Sequence, residues 1–231
     1  MNRFEELIKS VAPKPSVVVH IGAGSCKEHD FYKSLHPDRI IFVEADPQLA
    51  KEASQKYSGS TRVTVVECAI ATKSGRQLLK VTNNRHFSSL ATPTGLLEFY
   101  PNIAVADEVE VETLALRDLC LQTDIKHKSD NLLVADLRGL EKDVFPLAAK
   151  NTLQKFKWIF IRSSEHDLYE RASNKVQKNL TQAMHDAGYT VFVFKEDAPP
   201  FINILCMRSA ARRDNQRFKT QRRNNNKYKR Y

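Results

Sequence analysis

The sequence is poor in the residues that build disulfide frameworks and metal centres. Its four cysteines, Cys26, Cys68, Cys120 and Cys206, stand far apart, and none belongs to a CxxC pair or a Cys/His cluster of zinc spacing. Free thiols in a reducing compartment are expected, and no metal. Long apolar runs are missing too: none approaches the roughly 18 residues needed to cross a bilayer. The opening MNRFEELIKSVAPKP scatters charge where a secretory signal carries an apolar stretch. A cytoplasmic protein is expected. There is no internal repeat. What is present, 231 residues of which 42% are hydrophobic, suffices for one domain with its own core.

The net charge of +9 points at first to an anionic partner. Its location changes that reading. Between Arg208 and Tyr231 ten residues are Lys or Arg and the only acid is Asp214, so this segment carries the whole excess. The body, residues 1–207, is neutral overall, which argues against nucleic acid as partner of the folded domain. Residues 208–231 are polar and Asn-rich, lack aliphatic side chains after Ala211, and are expected to form a disordered basic tail. Such a tail suits contact with anionic lipid at the inner membrane face, with a polyanionic glycan or with RNA. A merely solubilising end is the alternative.

Strand-like and helix-like stretches alternate along the body. SVVVHI (Ser16 to Ile21), RIIFVE (Arg39 to Glu44), RVTVVE (Arg62 to Glu67), NLLVAD (Asn131 to Asp136) and KWIFIR (Lys157 to Arg162) read as strands, the first, second and fourth of them buried. Gln77 to Thr82 and Val109 to Thr113 read as shorter ones. Helices are predicted after Gly24 to about Leu35, from Asp46-Pro47 to about Tyr57, over Glu141 to Lys150, and over Leu168 to Ala187, with Gly188 as its C-cap. Arg85 to Pro101 reads as a loop. Tyr189 to Lys195 and Phe201 to Met207, joined by EDAPP, read as an antiparallel pair. The fold class is therefore α/β, a doubly wound and mainly parallel sheet whose last strand is antiparallel.

Several side chains fall at strand ends, where such sheets bind ligands. Gly22 and Gly24, after the first strand, allow a tight turn and bare backbone beside a helix start. Glu44 ends the second strand about 20 residues on, the distance at which nucleotide-binding α/β folds place an acid against ribose hydroxyls. An exposed strand-end acid is the alternative. Asp136, ending the fourth strand, is a candidate to orient a substrate or assist proton transfer. Glu141 reads as a first-turn helix acid. His166 is a candidate general base, or a solvated loop histidine. His20, within an apolar strand end, reads as a hydrogen-bonded core residue.

In this order the segments VVVHIGAG, IIFVEADP, VVECAIATKSG, FSSL (Phe87 to Leu90), VEVETLALRDL and LLVADLRGLEKDVF resemble class I S-adenosylmethionine-dependent methyltransferases, and more narrowly the FkbM family. The resemblance runs from Val17 to Met207. It implies a Rossmann-like sheet of seven strands with S-adenosyl-L-methionine as cofactor. His20, Gly22 and Gly24 would attend its methionine end, Glu44 its ribose, and Glu67, Cys68 and Ala69 its adenine. Asp136 would sit where cofactor meets acceptor, with Asp136 or His166 taking the proton. The activity implied is O-methyl transfer to a small-molecule or glycan acceptor, typically a sugar hydroxyl in polysaccharide or glycolipid biosynthesis. His20, Cys26 and Arg162 depart from the family's pattern, which has an acid, a small residue and a glutamate there. On those departures rests the alternative of a catalytically inactive, methyltransferase-like scaffold working through its tail. A nicotinamide-dependent oxidoreductase is disfavoured, because the full GxGxxG is missing.

Overall fold

The computed structural model describes residues 3–127, 129–164, 166–170, 180–195 and 200–208, and the backbone of 229–230. The elements in chain order are α1 (Arg3–Val11), β1 (Val17–Ile21), α2 (His29–Ser34), β2 (Arg39–Glu44), α3 (Pro47–Lys56), β3 (Val63–Glu67), β4 (Ala69–Ala71) and β5 (Gly75–Thr82). They continue with β6 (Val105–Ala115), α4 (Leu116–Gln122), β7 (Leu132–Asp136), α5 (Glu141–Leu147), α6 (Lys150–Leu153), β8 (Trp158–Ser164), α7 (Leu180–Asp186), β9 (Tyr189–Lys195), β10 (Phe201–Arg208) and β11 (Lys229–Arg230).

The main sheet runs β11-β9-β10-β8-β7-β1-β2-β3. β1 pairs in parallel with β2 and β7, β2 with β3, and β7 with β8, whereas β10 is antiparallel to both β8 and β9. Without the two-residue β11 this is the seven-stranded, doubly wound sheet with an antiparallel final strand that the sequence leads one to expect. The expected disordered tail falls mostly on residues 209–228, outside the described residues.

The pleat divides the core in two. Val17, Val19 and Ile21 enter one apolar layer with Ile41, Val43 and Leu133. Val18 enters the other with Tyr32, Leu35 and Phe42. Burying a Val, Ile or Phe side chain contributes about 1.5–3 kcal/mol, so β1, buried throughout, and β2, buried from Ile40 to Glu44, anchor the domain. His20 necessarily joins the second layer, alternating with Val19 and Ile21.

Four expectations are corrected. A second sheet, β4-β6-β5, stands beside the main one; its strand β6 runs eleven residues where a short strand was expected. The helix expected over Glu141 to Lys150 stops at Leu147: Pro146 lacks an amide, and Ala148 turns extended, ψ 131°. Leu168 to Glu170 are not helical; the Leu168 carbonyl instead accepts from Leu96 N at 2.8 Å, and Leu168 packs with Leu96, Tyr169 and Phe201. Residues 171–179 of that expected helix lie outside the described residues. The stretch read as a loop from Arg85 contains 3₁₀ turns at Arg85–Phe87 and Gly95–Glu98.

The start of α3 follows the local signal. Asp46, 1% exposed, accepts from Gln48 N at 3.0 Å and Leu49 N at 3.4 Å, with Pro47 in the first turn. It also receives the Arg85 guanidinium. Asp46→Ala should therefore cost about 1–2 kcal/mol in urea unfolding, and Asp46→Asn, which keeps the cap, clearly less. Equal losses in the two variants would show that the ion pair, and not the cap, dominates.

Candidate functional site

Chain connections leave β1 toward β2 on one side and return to β7 on the other, so the carboxyl ends of these strands open into a crevice. A cleft of about 80 Å³, open to solvent, occupies that place. Gly22, Gly24, Glu44, Cys68, Ala69 and Asp136, all expected from the sequence, line it.

Glu44 is the hinge of the cleft. Its carboxylate accepts from Gly24 N at 2.6 Å through Oε2 and from Asp46 N at 2.8 Å through Oε1. The left-handed backbone of Gly24, φ 53°, turns its N–H back toward the acid. Burial pushes the Glu44 carboxyl above its ordinary value, and these backbone donors oppose that shift. The Ala45 amide adds to them; a carboxylate has about four lone-pair sites, so acceptor capacity remains for a ligand hydroxyl. A side chain on Gly24 would meet only the His86 ring, at 3.7 Å. Its bare backbone thus faces the cleft.

Gly22 is bare for a different reason. A Cβ there would lie 2.1 Å from the Asp136 carbonyl oxygen, and φ is 73°. The missing side chain lets β1 and β7 close together, so this glycine answers to the neighbouring chain. Cys26 takes a left-handed backbone, φ 54°, and lies buried; burial pushes its thiol up to about 12. Cys68, also buried, is pushed up to about 12 in the same way. Both stay protonated and unreactive near neutral pH.

Asp136 sits between two cations. Arg138 Nη2 lies 2.8 Å and Arg162 Nη1 3.6 Å from its Oδ2. Two guanidiniums face this carboxylate, an arrangement that suits anchoring.

Other expected residues lie elsewhere. His20 does not line the cleft; it faces the α2 layer, with Nδ1 3.1 Å from Tyr32 Oη and 4.0 Å from Glu28. Burial lowers its pKa, against smaller opposing effects of Glu28 and Asp136. Glu67 is exposed on β3 and faces a second hollow beside Arg39 and Glu112. His166 is exposed against Phe99, ring centroids 5.5 Å apart, and does not line the cleft.

The roof escaped sequence reasoning. Arg85, His86, Ser88, Ser89 and Leu90 line the cleft from a segment read as a loop. Arg85 is tied to Asp46, Ser89 Oγ donates to the Arg138 carbonyl at 2.8 Å, and Tyr169 Oη donates to the Phe87 carbonyl at 3.2 Å. Arg138 lies between Phe87 and Phe201, 5.3 and 5.2 Å from their ring centroids. One local signal for Arg138 existed: an Arg-Gly pair just after a strand, here a left-handed turn with φ 47° and 100°. Ala69, Ile70, Leu79 and Leu90 line the cleft with apolar surface, and Glu44 and Gly24 with polar groups. The lining therefore suits a ligand that has both an apolar face and hydroxyl donors. Among the described residues no group of three His, Cys, Asp or Glu side chains is placed to hold a metal ion, and no helix is long and apolar enough to cross a membrane.

Gly22→Ala should cost about 2–4 kcal/mol in urea unfolding, through the clash with β7 and the positive φ. Gly24→Ala, with open space above it, should cost about 1 kcal/mol, for backbone strain alone. Similar losses would contradict the contact argument. The pH dependence of His20 has a definite sign. Its folded pKa lies below the ordinary 6.5, so the unfolded chain binds the proton more readily. The neutral ring's contribution is complete above 6.5 and is lost as pH falls below it. Unfolding midpoints between pH 7.5 and 5, compared for wild type and His20→Asn, should converge on acidification.

No protein-family model matches the chain, and no curated protein matches its sequence. Among solved structures it is similar to a TehB-like SAM-dependent methyltransferase from Corynebacterium glutamicum, at 11% identity over 89% of this chain and 86% of that one, TM-score 0.46. It is similar also to precorrin-6y C5,15-methyltransferase from Geobacter metallireducens, at 15% identity over 89% and 87%, TM-score 0.44. A third is Aeropyrum pernix fibrillarin with natively bound S-adenosyl-L-methionine, at 12% identity over 88% and 73%, TM-score 0.47.

Proposed function

We propose that the cleft binds S-adenosyl-L-methionine and that the protein is an O-methyltransferase of the FkbM type, acting on a hydroxyl of a sugar or related acceptor. The observation that carries this reading is the Glu44 carboxylate, bonded to Gly24 N at the mouth of the cleft with acceptor sites to spare. The residues fit such a nucleoside. Glu44 meets a ribose diol, the Ala69, Ile70 and Leu79 wall covers a purine face, and Gly24 leaves its backbone clear. When bound, this cofactor supplies a methyl group already activated on a sulfonium. The chain's own task is then mostly positioning and exclusion of water. Asp136, fixed by Arg138 and Arg162, marks the acceptor end. His86 lines the cleft and takes the hydroxyl proton. Partial burial, with Lys27 and Arg138 nearby, lowers its pKa and keeps the ring neutral and able to accept.

A specific observation favours a second reading, an inactive methyltransferase-like scaffold. Arg85, which lines the cleft, is tied to Asp46, and Glu44 already holds backbone donors.

Calorimetry with S-adenosylhomocysteine separates the two. Micromolar binding is expected, weakened about 10- to 100-fold in Glu44→Gln, in keeping with about 1.5–3 kcal/mol for a hydrogen bond to a charged group. No binding at millimolar ligand would discard the transferase and leave the scaffold.

A further inference from the structure

The cleft is small for the ligand its lining suits. Its volume of about 80 Å³ falls well short of the roughly 300–1,000 Å³ of pockets that enclose small molecules. One side must therefore give way before a nucleoside can enter. The floor and walls are poorly placed to do so. Glu44 and Asp136 end the paired strands β2 and β7, and Ala69, Ile70 and Leu79 belong to the paired strands β4 and β5.

What remains is the roof, and its anchorage is uneven. Before the turn at Arg85–Phe87, Asn83 N donates to the Ala104 carbonyl at 3.0 Å and Asn83 Nδ2 to the Asn102 carbonyl at 2.8 Å. The buried Thr82 hydroxyl donates to the Asn84 carbonyl at 2.6 Å. After the turn, Tyr169 Oη holds the Phe87 carbonyl, and Ser89 exchanges two backbone bonds with Lys80, at 2.8 and 3.2 Å. Between these anchors stand Arg85 and His86, both exposed. Their backbone bonds stay within the turn: His86 N donates to the Asn84 side chain, and the Arg85 carbonyl accepts from Ser88 N. Among the described residues, the one hydrogen bond from this pair to the opposite side of the cleft is that of the Arg85 guanidinium to Asp46. The His86 ring lies over Gly24, where an added Cβ would stand 3.7 Å from its Nδ1.

Asp46 divides its two oxygens between two tasks. Oδ1 accepts from Gln48 N and Leu49 N and caps α3, whereas Oδ2 takes Arg85. Releasing the arginine leaves the cap in place. The Arg85 side chain is 41% exposed, so water can receive the freed guanidinium, while the Asp46 carboxylate stays fixed as the catch. A short turn secured at both ends and held across the opening by one ion pair can lift without unravelling its neighbours.

We propose that Asn84, Arg85 and His86 form a strap over the cleft, latched by Arg85 on Asp46, and that the strap must lift for a nucleoside ligand to enter and leave. The nucleoside rests on the transferase reading above; the latch itself stands on the anchorage of the turn. Closure brings His86 back over Gly24, so the same movement that shields the ligand from water carries the proposed base into place.

Two measurements on the full chain test this. Trypsin cleaves after arginine, and cleavage of a closed segment follows the population of its open form. Asp46→Asn keeps an oxygen for the α3 cap and removes the catch's charge. It should speed cleavage between Arg85 and His86 about tenfold, with cleavage after Arg39, in the paired strand β2, unchanged. Equal cleavage after Arg85 in wild type and variant would overturn the latch, and so would a rise matched after Arg39, which marks general unfolding. The second measurement is the association rate of S-adenosylhomocysteine on immobilised protein by surface plasmon resonance. Asp46→Asn and Arg85→Gln should each raise it about tenfold, because a ligand that needs the open form binds in proportion to its population. Acceleration in only one of the two variants, or in neither, would overturn the strap as a gate. If S-adenosylhomocysteine binds to none of the three proteins, the transferase reading falls, and the cleavage at Arg85 alone decides the latch.

Discussion

The arrangement of the site depends on one buried carboxylate. Glu44 ends β2 and reaches sideways to the turn after β1, through Gly24 N, and forward to the start of α3, through Asp46 N. Three chain segments are thereby fixed at one point. Asp46 in turn caps α3 and receives Arg85 from the roof. Removing the acid would leave the Gly24 amide without its partner and loosen the tie to the residue that holds the roof. A ligand carrying a diol would meet a carboxylate whose direction its own chain has already set.

The charges around this point show how a partly buried site accommodates ions. Asp136 and Asp46 each face an arginine, and Glu141 faces a backbone amide and a serine hydroxyl. Charged groups taken out of water need such partners, because desolvation alone costs several kcal/mol per ion. The rule holds for groups more strictly than for single atoms: Arg138 is paired with Asp136 through Nη2, while its buried Nη1 has no hydrogen-bond partner among the described residues.

How much of this was legible depended on whether the signal was local. Five strands could be read from β-branched runs, the exposed edge strand β3 among them, and the start of α3 from Asp46-Pro47, because strand patterning and helix capping act over a few residues. Glu44 and Gly24 could be paired from spacing alone, since the strand-turn-helix unit between them has a set length. The role of Gly22 could not: its constraint is the Asp136 carbonyl, more than a hundred positions away in the sequence. The roof was hidden for the same reason. Nothing in Arg85-His86-Phe87 announces that Arg85 meets Asp46 or that Tyr169 holds Phe87. Helical periodicity misled at Leu168, where burial against Leu96 and Phe201 imposes apolar spacing without a helix.

Two strand ends show how side chains placed on a fold shape its crevice. His20 turns into the core against Tyr32 and gives the cleft no side chain from its place on β1. Arg162, on β8, faces Asp136 together with Arg138. The Glu44 and Gly24 end keeps a carboxylate and a bare backbone turn. Fold alone does not set chemistry; because the charged groups differ along the crevice, each part of it selects by its own side chains.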